Sequence, residues 1–307
     1  MKKVKQLLNV VKNAGENFIE DNAFKLSASL SYYTIFAMGP LLIIIIALVG
    51  IFFGRDAVEG RLYEQLNGLV GHNAALQIQD IIRNIQHSHT TTAGAVIGTI
   101  VLIIGATGVF TEMQGSINYI WSVKAKPKKG WLKFLINRLL SFSLVLGMGF
   151  ILLVSLVISA LLNLLSDELV KLFSDYTVYL FFIINSAITI IVITTLFAVI
   201  FKILPDAIIS WKDALIGATV TALLFLLGKF LIGYYLNQSK FDITFGAAAS
   251  IVVILSWIYY SASILYFGAE FTKAYALMEG AGIRPKDTAV FVIKREEKEV
   301  PTSRITL

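Results

Sequence analysis

Apolar positions in this chain do not alternate with polar ones; they run together. Six stretches are almost free of charge: Leu26–Gly54, Thr90–Thr111, Leu139–Ser166, Tyr176–Phe201, Ala214–Ser239 and Ile243–Ala269. Lys229, in the fifth, is the single charged side chain within them. Each stretch exceeds the roughly 20 residues that a helix, rising about 1.5 Å per residue, needs to cross the hydrocarbon layer of a bilayer. A helix on the surface of a soluble domain would keep one polar face, whereas Ile43–Val49 and Ile188–Val199 are apolar on every face. The pattern predicts an all-α, polytopic membrane bundle with six transmembrane helices, at about residues 30–53, 93–111, 139–163, 178–201, 214–236 and 245–270.

Periodicity reappears outside these runs. Val4, Leu7, Leu8, Val11, Ala14 and Phe18 recur at spacings of three and four, with lysines on the opposite face. This predicts an amphipathic, interfacial cytoplasmic helix over residues 1–25. No cleaved signal is expected, because the first apolar run begins late and is too long for a signal core. The connection at 55–89 carries two apolar stripes, Val58, Leu62, Leu66, Leu69 and then Ala74, Ile78, Ile81, Ile82, Ile85, and reads as an external helical loop. Gly39–Pro40 predicts a kink in the first span. Gly94, Gly98, Gly105 and Gly108 let the second span approach its neighbours closely. Residues 275–307, mixed in charge and holding Pro285 and Pro301, read as a mobile cytoplasmic tail.

Charge then orients the bundle. With alternating spans, twenty of the lysines and arginines fall on the side of the termini and five on the other. Cytoplasmic connections are the basic ones, so both termini are expected in the cytoplasm and 55–89 outside. The net charge of +6 therefore serves topology and contact with anionic lipid; it does not imply a nucleic-acid partner. Trp131 and Trp211 stand where the second and fourth connections meet the membrane. The chain has no cysteine, which excludes disulfides and thiolate metal sites.

Catalytic signatures are absent from the sequence. It has no Gly-x-Ser-x-Gly elbow, phosphate-binding loop or His-Glu-x-x-His. The three histidines, His72, His87 and His89, sit in the external connection. No catalytic, metal or cofactor-binding residues are assigned, and no cofactor is expected. Polar groups at membrane depth are more informative, because each must find a partner or reach water. Lys229 admits two readings, a side chain that snorkels to the external interface or a member of a functional cavity. A second set recurs at the inner ends of the spans: Ser27, Ser31, Tyr32 and Tyr33, then Glu112, Gln114 and Asn118, then Arg138, Asp206 and Glu270. Taken singly, each reads as an interfacial residue facing water or headgroups. Their common depth across five spans makes a shared polar pocket the sharper expectation, with Arg138 or Lys25 as the donor to Glu270.

These residues also carry a resemblance. Leu26-Ser-Ala-Ser-Leu-Ser-Tyr-Tyr33 followed by Gly39-Pro40, then Gln114, Asn118 and Trp121, Leu204-Pro205-Asp206 with Trp211, Gly217-Ala218, and Trp257-Ile-Tyr-Tyr260 with Gly268-Ala-Glu270 together resemble the YihY/BrkB family of bacterial inner-membrane proteins. The resemblance covers about Asn22–Ala274. It implies six helices and residence in the cytoplasmic membrane, and the family has also carried a ribonuclease BN label. Phosphodiester cleavage needs a general acid and base or a metal cluster beside the RNA, and this sequence offers no histidine on the cytoplasmic side. The chain is therefore not expected to be an enzyme. Three functions follow in falling order. The first is a transporter or lipid-handling protein using a polar cavity between helices, with a small molecule, an ion or a lipid as substrate. The second is a non-catalytic envelope scaffold, and the third a membrane-bound ribonuclease or hydrolase.

Overall fold

A computed structural model describes residues 2–37, 76, 79, 108–126, 147, 176–238 and 249–293. Helix α1 (Lys2–Glu20) ends at a sharp turn. Asn22 there takes a left-handed backbone, φ 52°, which asparagine tolerates better than most residues. The Asn22 carbonyl then accepts from the amides of Lys25 and Leu26 at 2.8 and 3.2 Å, opening helix α2 over residues 23–37. The boundary expected at residue 25 is thus corrected. Charge ends at Lys25, but the helix restarts at the Asn22 turn.

Helix α3 (residues 108–120) leads into strand β1 (Val123–Ala125), and helix α4 (Tyr176–Ile203) into strand β2 (Ala207–Ile208). Helices α5 (Trp211–Gln238) and α6 (Ala249–Met278) follow, then strands β3 (Arg284–Pro285) and β4 (Ala289–Phe291). Among the described residues, three helices are long and apolar enough to cross a membrane, through Ser186–Ile203, Trp211–Tyr235 and Ile251–Met278. Ile191, Leu223, Leu227, Phe230, Leu231 and Ile251 point outward from them, as suits helices surrounded by lipid. All of the third span but Gly147, most of the first two, the Gly39–Pro40 kink, Gly94 and Gly98 lie outside the described residues. Of the connection at 55–89 only Leu76 and Gln79 are described, both helical.

Helices α5 and α6 interlock by a reciprocal device. A Cβ built on Gly217 would come within 1.9 Å of Thr272 Oγ1, and one on Gly268 within 2.0 Å of Thr221 Oγ1. Each threonine hydroxyl is turned back onto its own helix, Thr221 donating to the Gly217 carbonyl at 2.7 Å and Thr272 to the Gly268 carbonyl at 2.6 Å. The glycine of each helix therefore receives the threonine of the other. Higher up, the Tyr260 ring fills the space over Gly228. Lipid tails are as apolar as the helix surfaces, so contact of this closeness, not hydrophobic burial, holds two helices together in a membrane.

Two expectations about the C-terminal part are corrected. Helix α6 does not close at Glu270 but runs eight residues further to Met278, because Ala274, Tyr275 and Ala276 continue its packed face. Backbone bonds from Glu279 and Gly280 to the Tyr275 carbonyl and from Gly282 to the Ala276 carbonyl end it, with Gly282 at φ 78°. The segment expected to be mobile is ordered through residue 293. Strand β3 pairs antiparallel with β2, matching Pro285 to Ala207, and β4 pairs with β1, matching Phe291 to Val123. Composition misses this order because its partners, the connections after α3 and α4, are distant in sequence. The main buried cluster sits where these segments meet and contains Leu30, Ile117, Ile120, Trp121, Phe201, Leu204, Ala218, Tyr266 and Ile283.

Candidate functional site: a buried polar layer

The layer begins with Asp206. Leu204-Pro205-Asp206 reverses the chain after α4, since proline cannot continue the helix. Gln114 and Asn118 stand four residues apart, on one face of α3. The buried Asp206 Oδ2 accepts from Asn118 Nδ2 at 3.0 Å and from Gln114 Nε2 at 3.3 Å. The Asp206 amide donates back to Asn118 Oδ1 at 2.8 Å, and its carbonyl accepts from the Lys286 amide at 2.9 Å. One aspartate thereby joins α3, the α4–α5 connection and the tail.

Glu270 lies nearby on α6 and is fully buried, 0% exposed. Lys273, one turn on, brings its Nζ within 3.7 Å of Glu270 Oε2 and 3.9 Å of Asp21 Oδ2. It also donates to the Ile120 carbonyl, at the end of α3, at 2.7 Å. The Lys273 side chain is only 16% exposed. Two carboxylates therefore share one ammonium in a place nearly closed to water. Trp121 seals one side, its indole Nε1 donating to the Ala269 carbonyl at 3.0 Å. Tyr266, the turn before Glu270, is buried beside Ser116, with Glu112 near its hydroxyl.

The expected pocket residues fall into three groups. Gln114, Asn118 and Asp206 meet directly, and Glu270 and the half-buried Glu112 flank the same core. Ser27 and Ser31 are buried but spend their hydroxyls on their own helix, on the Ala23 and Ser27 carbonyls at 2.8 and 2.7 Å. Tyr32 and Tyr33 stand outside the layer, 61% and 43% exposed, their rings 5.9 Å apart. Arg138 lies outside the described residues. Lys25, the other donor expected for Glu270, is exposed, and Lys273 takes that place. Lys229 is half-buried on α5, about 12 Å at 1.5 Å per residue beyond Thr221, which packs against Gly268 beside Glu270, and so belongs to a different depth.

The sequence reading missed Asp21, Tyr266 and Lys273. Lys273 is legible as the residue three beyond Glu270, on the same helical face, but only if the helix is carried past Glu270. Among the described residues no three His, Asp or Glu side chains gather as a metal site would require.

The family model described as "Virulence factor BrkB" matches residues 14–290. The chain belongs to the BrkB family. Relatives include UPF0761 membrane proteins from Rhodospirillum centenum, 27% identical over 268 residues, and Saccharophagus degradans, 27% over 264; each alignment covers 86% of this chain. Another from Alcanivorax borkumensis is 24% identical over 263 residues, 85% of this chain. The chain spans only 57%, 59% and 59% of these three relatives. No solved structure matches. The BrkB-family match starts inside α1 and ends in β4, so it takes in every polar group of the layer from Asp21 to Lys286. This BrkB-family chain is a membrane protein with transmembrane helices.

Proposed function

We propose that this protein is a six-span transporter or lipid-handling protein of the cytoplasmic membrane, with both termini inside, whose working element is the polar layer at the inner end of the bundle. The observation that carries this reading is the fully buried Glu270 sharing Lys273 with Asp21. A charged group in a spanning helix is costly, and such groups mark substrate and ion routes or relays. An anchor at a helix end needs no carboxylate at all. Glu270 and Lys273 bind or relay charge in this scheme, while Gln114, Asn118 and Asp206 hold the layer's shape. The scaffold reading draws on the same residues, because the Asp206 bonds close within the protein.

Purified protein in liposomes is expected to accelerate leaflet exchange of a fluorescent phosphatidylglycerol, or proton flux read by an entrapped pH dye, above protein-free vesicles. Glu270→Gln is expected to lower whichever rate is seen by at least about tenfold, the effect of removing a desolvated charge worth more than 1.4 kcal/mol. Rates equal to those of empty vesicles in both assays would leave the scaffold reading ahead.

The orientation has its own check. The chain has no cysteine, so a single Gln79→Cys reports one site. It is expected to react with an impermeant maleimide from outside intact cells. Labelling only after the cytoplasm is opened would reverse the topology.

A further inference from the structure

Helix α1 has an apolar arc wider than its docking site needs. Val10, Ala14 and Phe18 are buried against the last turns of α6, beside Phe271 and Ala274, with Ile216 and Val220 of α5 alongside. Among the described residues, nothing gives the other half of the arc such cover. Leu8 is 63% and Ile19 70% exposed, Val11 lies between them, and Phe24 of α2, edge-on to Phe18 at 4.9 Å, extends the strip. Lys5 and Lys12 border it, both exposed, and the sequence puts Lys2 and Lys3 in the first turn. Lys12 reaches Glu16 at 3.6 Å, a surface pair weak enough for lipid phosphate to compete with.

An exposed apolar strip with a basic rim, fixed to the end of a spanning helix, fits one occupant: the headgroup and upper acyl region of an anionic leaflet. The far end of α1 is the turn at Asp21, whose carboxylate is held by Lys273, and Lys273 also holds Glu270 and the end of α3. We propose that the exposed half of α1 seats in an anionic leaflet, and that the Asp21–Lys273 contact passes that seating on to the Glu270 layer. α1 is then a lipid-responsive lever, and the buried layer is what it moves. The inference stands whether or not the helices pass a solute.

The test is amide hydrogen exchange of the intact protein in nanodiscs of phosphatidylcholine alone or mixed with phosphatidylglycerol. Each basic residue near an anionic surface is worth about a fivefold gain in binding. Exchange over residues 2–20 is therefore expected to slow in the anionic discs, by up to roughly thirtyfold for Lys5 and Lys12 together. Exchange over residues 270–278 is expected to change with it. Lys5→Gln with Lys12→Gln, both exposed, should cut the lipid dependence at both segments by up to the same roughly thirtyfold. Asp21→Asn should keep it at 2–20 and lose it at 270–278. Equal exchange of 2–20 in the two kinds of disc, or protection that instead rises with protein concentration as contact with a second copy would cause, overturns the lipid assignment. A wild-type response confined to 2–20 overturns the transmission to Glu270.

Discussion

Replacing Gly217 by leucine is expected to break the α5–α6 pair and leave little folded protein in the membrane. The first added carbon would already lie 1.9 Å from Thr272 Oγ1, 2.8 Å from its Cβ and 3.1 Å from its Cγ2. Thr272 cannot turn aside, being buried and bonded to the Gly268 carbonyl, so the helices must separate. Overpacking of this kind costs about 1–3 kcal/mol in soluble cores and sometimes more. Separation here also gives up the van der Waals contact that holds the pair together. Gly233→Leu on the same helix is the matched control, because a Cβ there meets nothing within 4 Å. In detergent, Gly217→Leu should lower Tm strongly or abolish purification, while Gly233→Leu behaves as wild type. Gly268→Ala should be rescued in part by Thr221→Gly, which removes the atoms it would strike. Equal stability of Gly217→Leu and Gly233→Leu would refute the interlock.

The second large effect is expected at Lys273, and it should exceed that at Glu270. Lys273→Met leaves the buried carboxylates of Glu270 and Asp21 without their shared ammonium, a change that typically costs about 3–5 kcal/mol. Glu270→Gln removes the more deeply buried of the two acids and leaves Lys273 facing Asp21 and the Ile120 carbonyl, so its cost should be smaller. The double variant Glu270→Gln with Lys273→Met should be more stable than Lys273→Met alone. A double-mutant cycle on denaturant midpoints in detergent measures the coupling. A Lys273→Met protein with the wild-type midpoint would mean that the charges are hydrated and that the layer is not a desolvated site.

Part of this layer was legible in the chain. Gln114 and Asn118 advertise themselves by lying one turn apart on an apolar helix, and Asp206 by following Leu204-Pro205 at a helix end. Glu270 stood out at the end of a charge-free run. Their partners did not. Asp206 and Asn118 are 88 positions apart and meet through side chains. Asp21 meets Lys273 only because α1 folds back against α6. Periodicity describes a helix's own faces and carries no information on which distant face each one meets. Tyr32 and Tyr33 illustrate the converse, since they follow Ser31 directly yet stay exposed, the Tyr33 ring lying over Gly108 at the start of α3 and not among the layer's bonds.

By itself, then, the sequence determined the class of the protein and the existence of its long apolar helices, because unbroken apolar runs cannot be covered in water and satisfy their backbone in lipid only as helices. It also determined the amphipathic character of α1 and the scarcity of cysteine and histidine chemistry. Tertiary structure alone decided that half of α1's apolar arc packs on α6 while half stays open, that Gly217 and Gly268 receive each other's threonines, and that β3 and β4 order the tail. It also decided that Lys273 stands between two carboxylates. All of these depend on contacts between segments far apart in sequence, whose geometry is set by how closely whole helices approach.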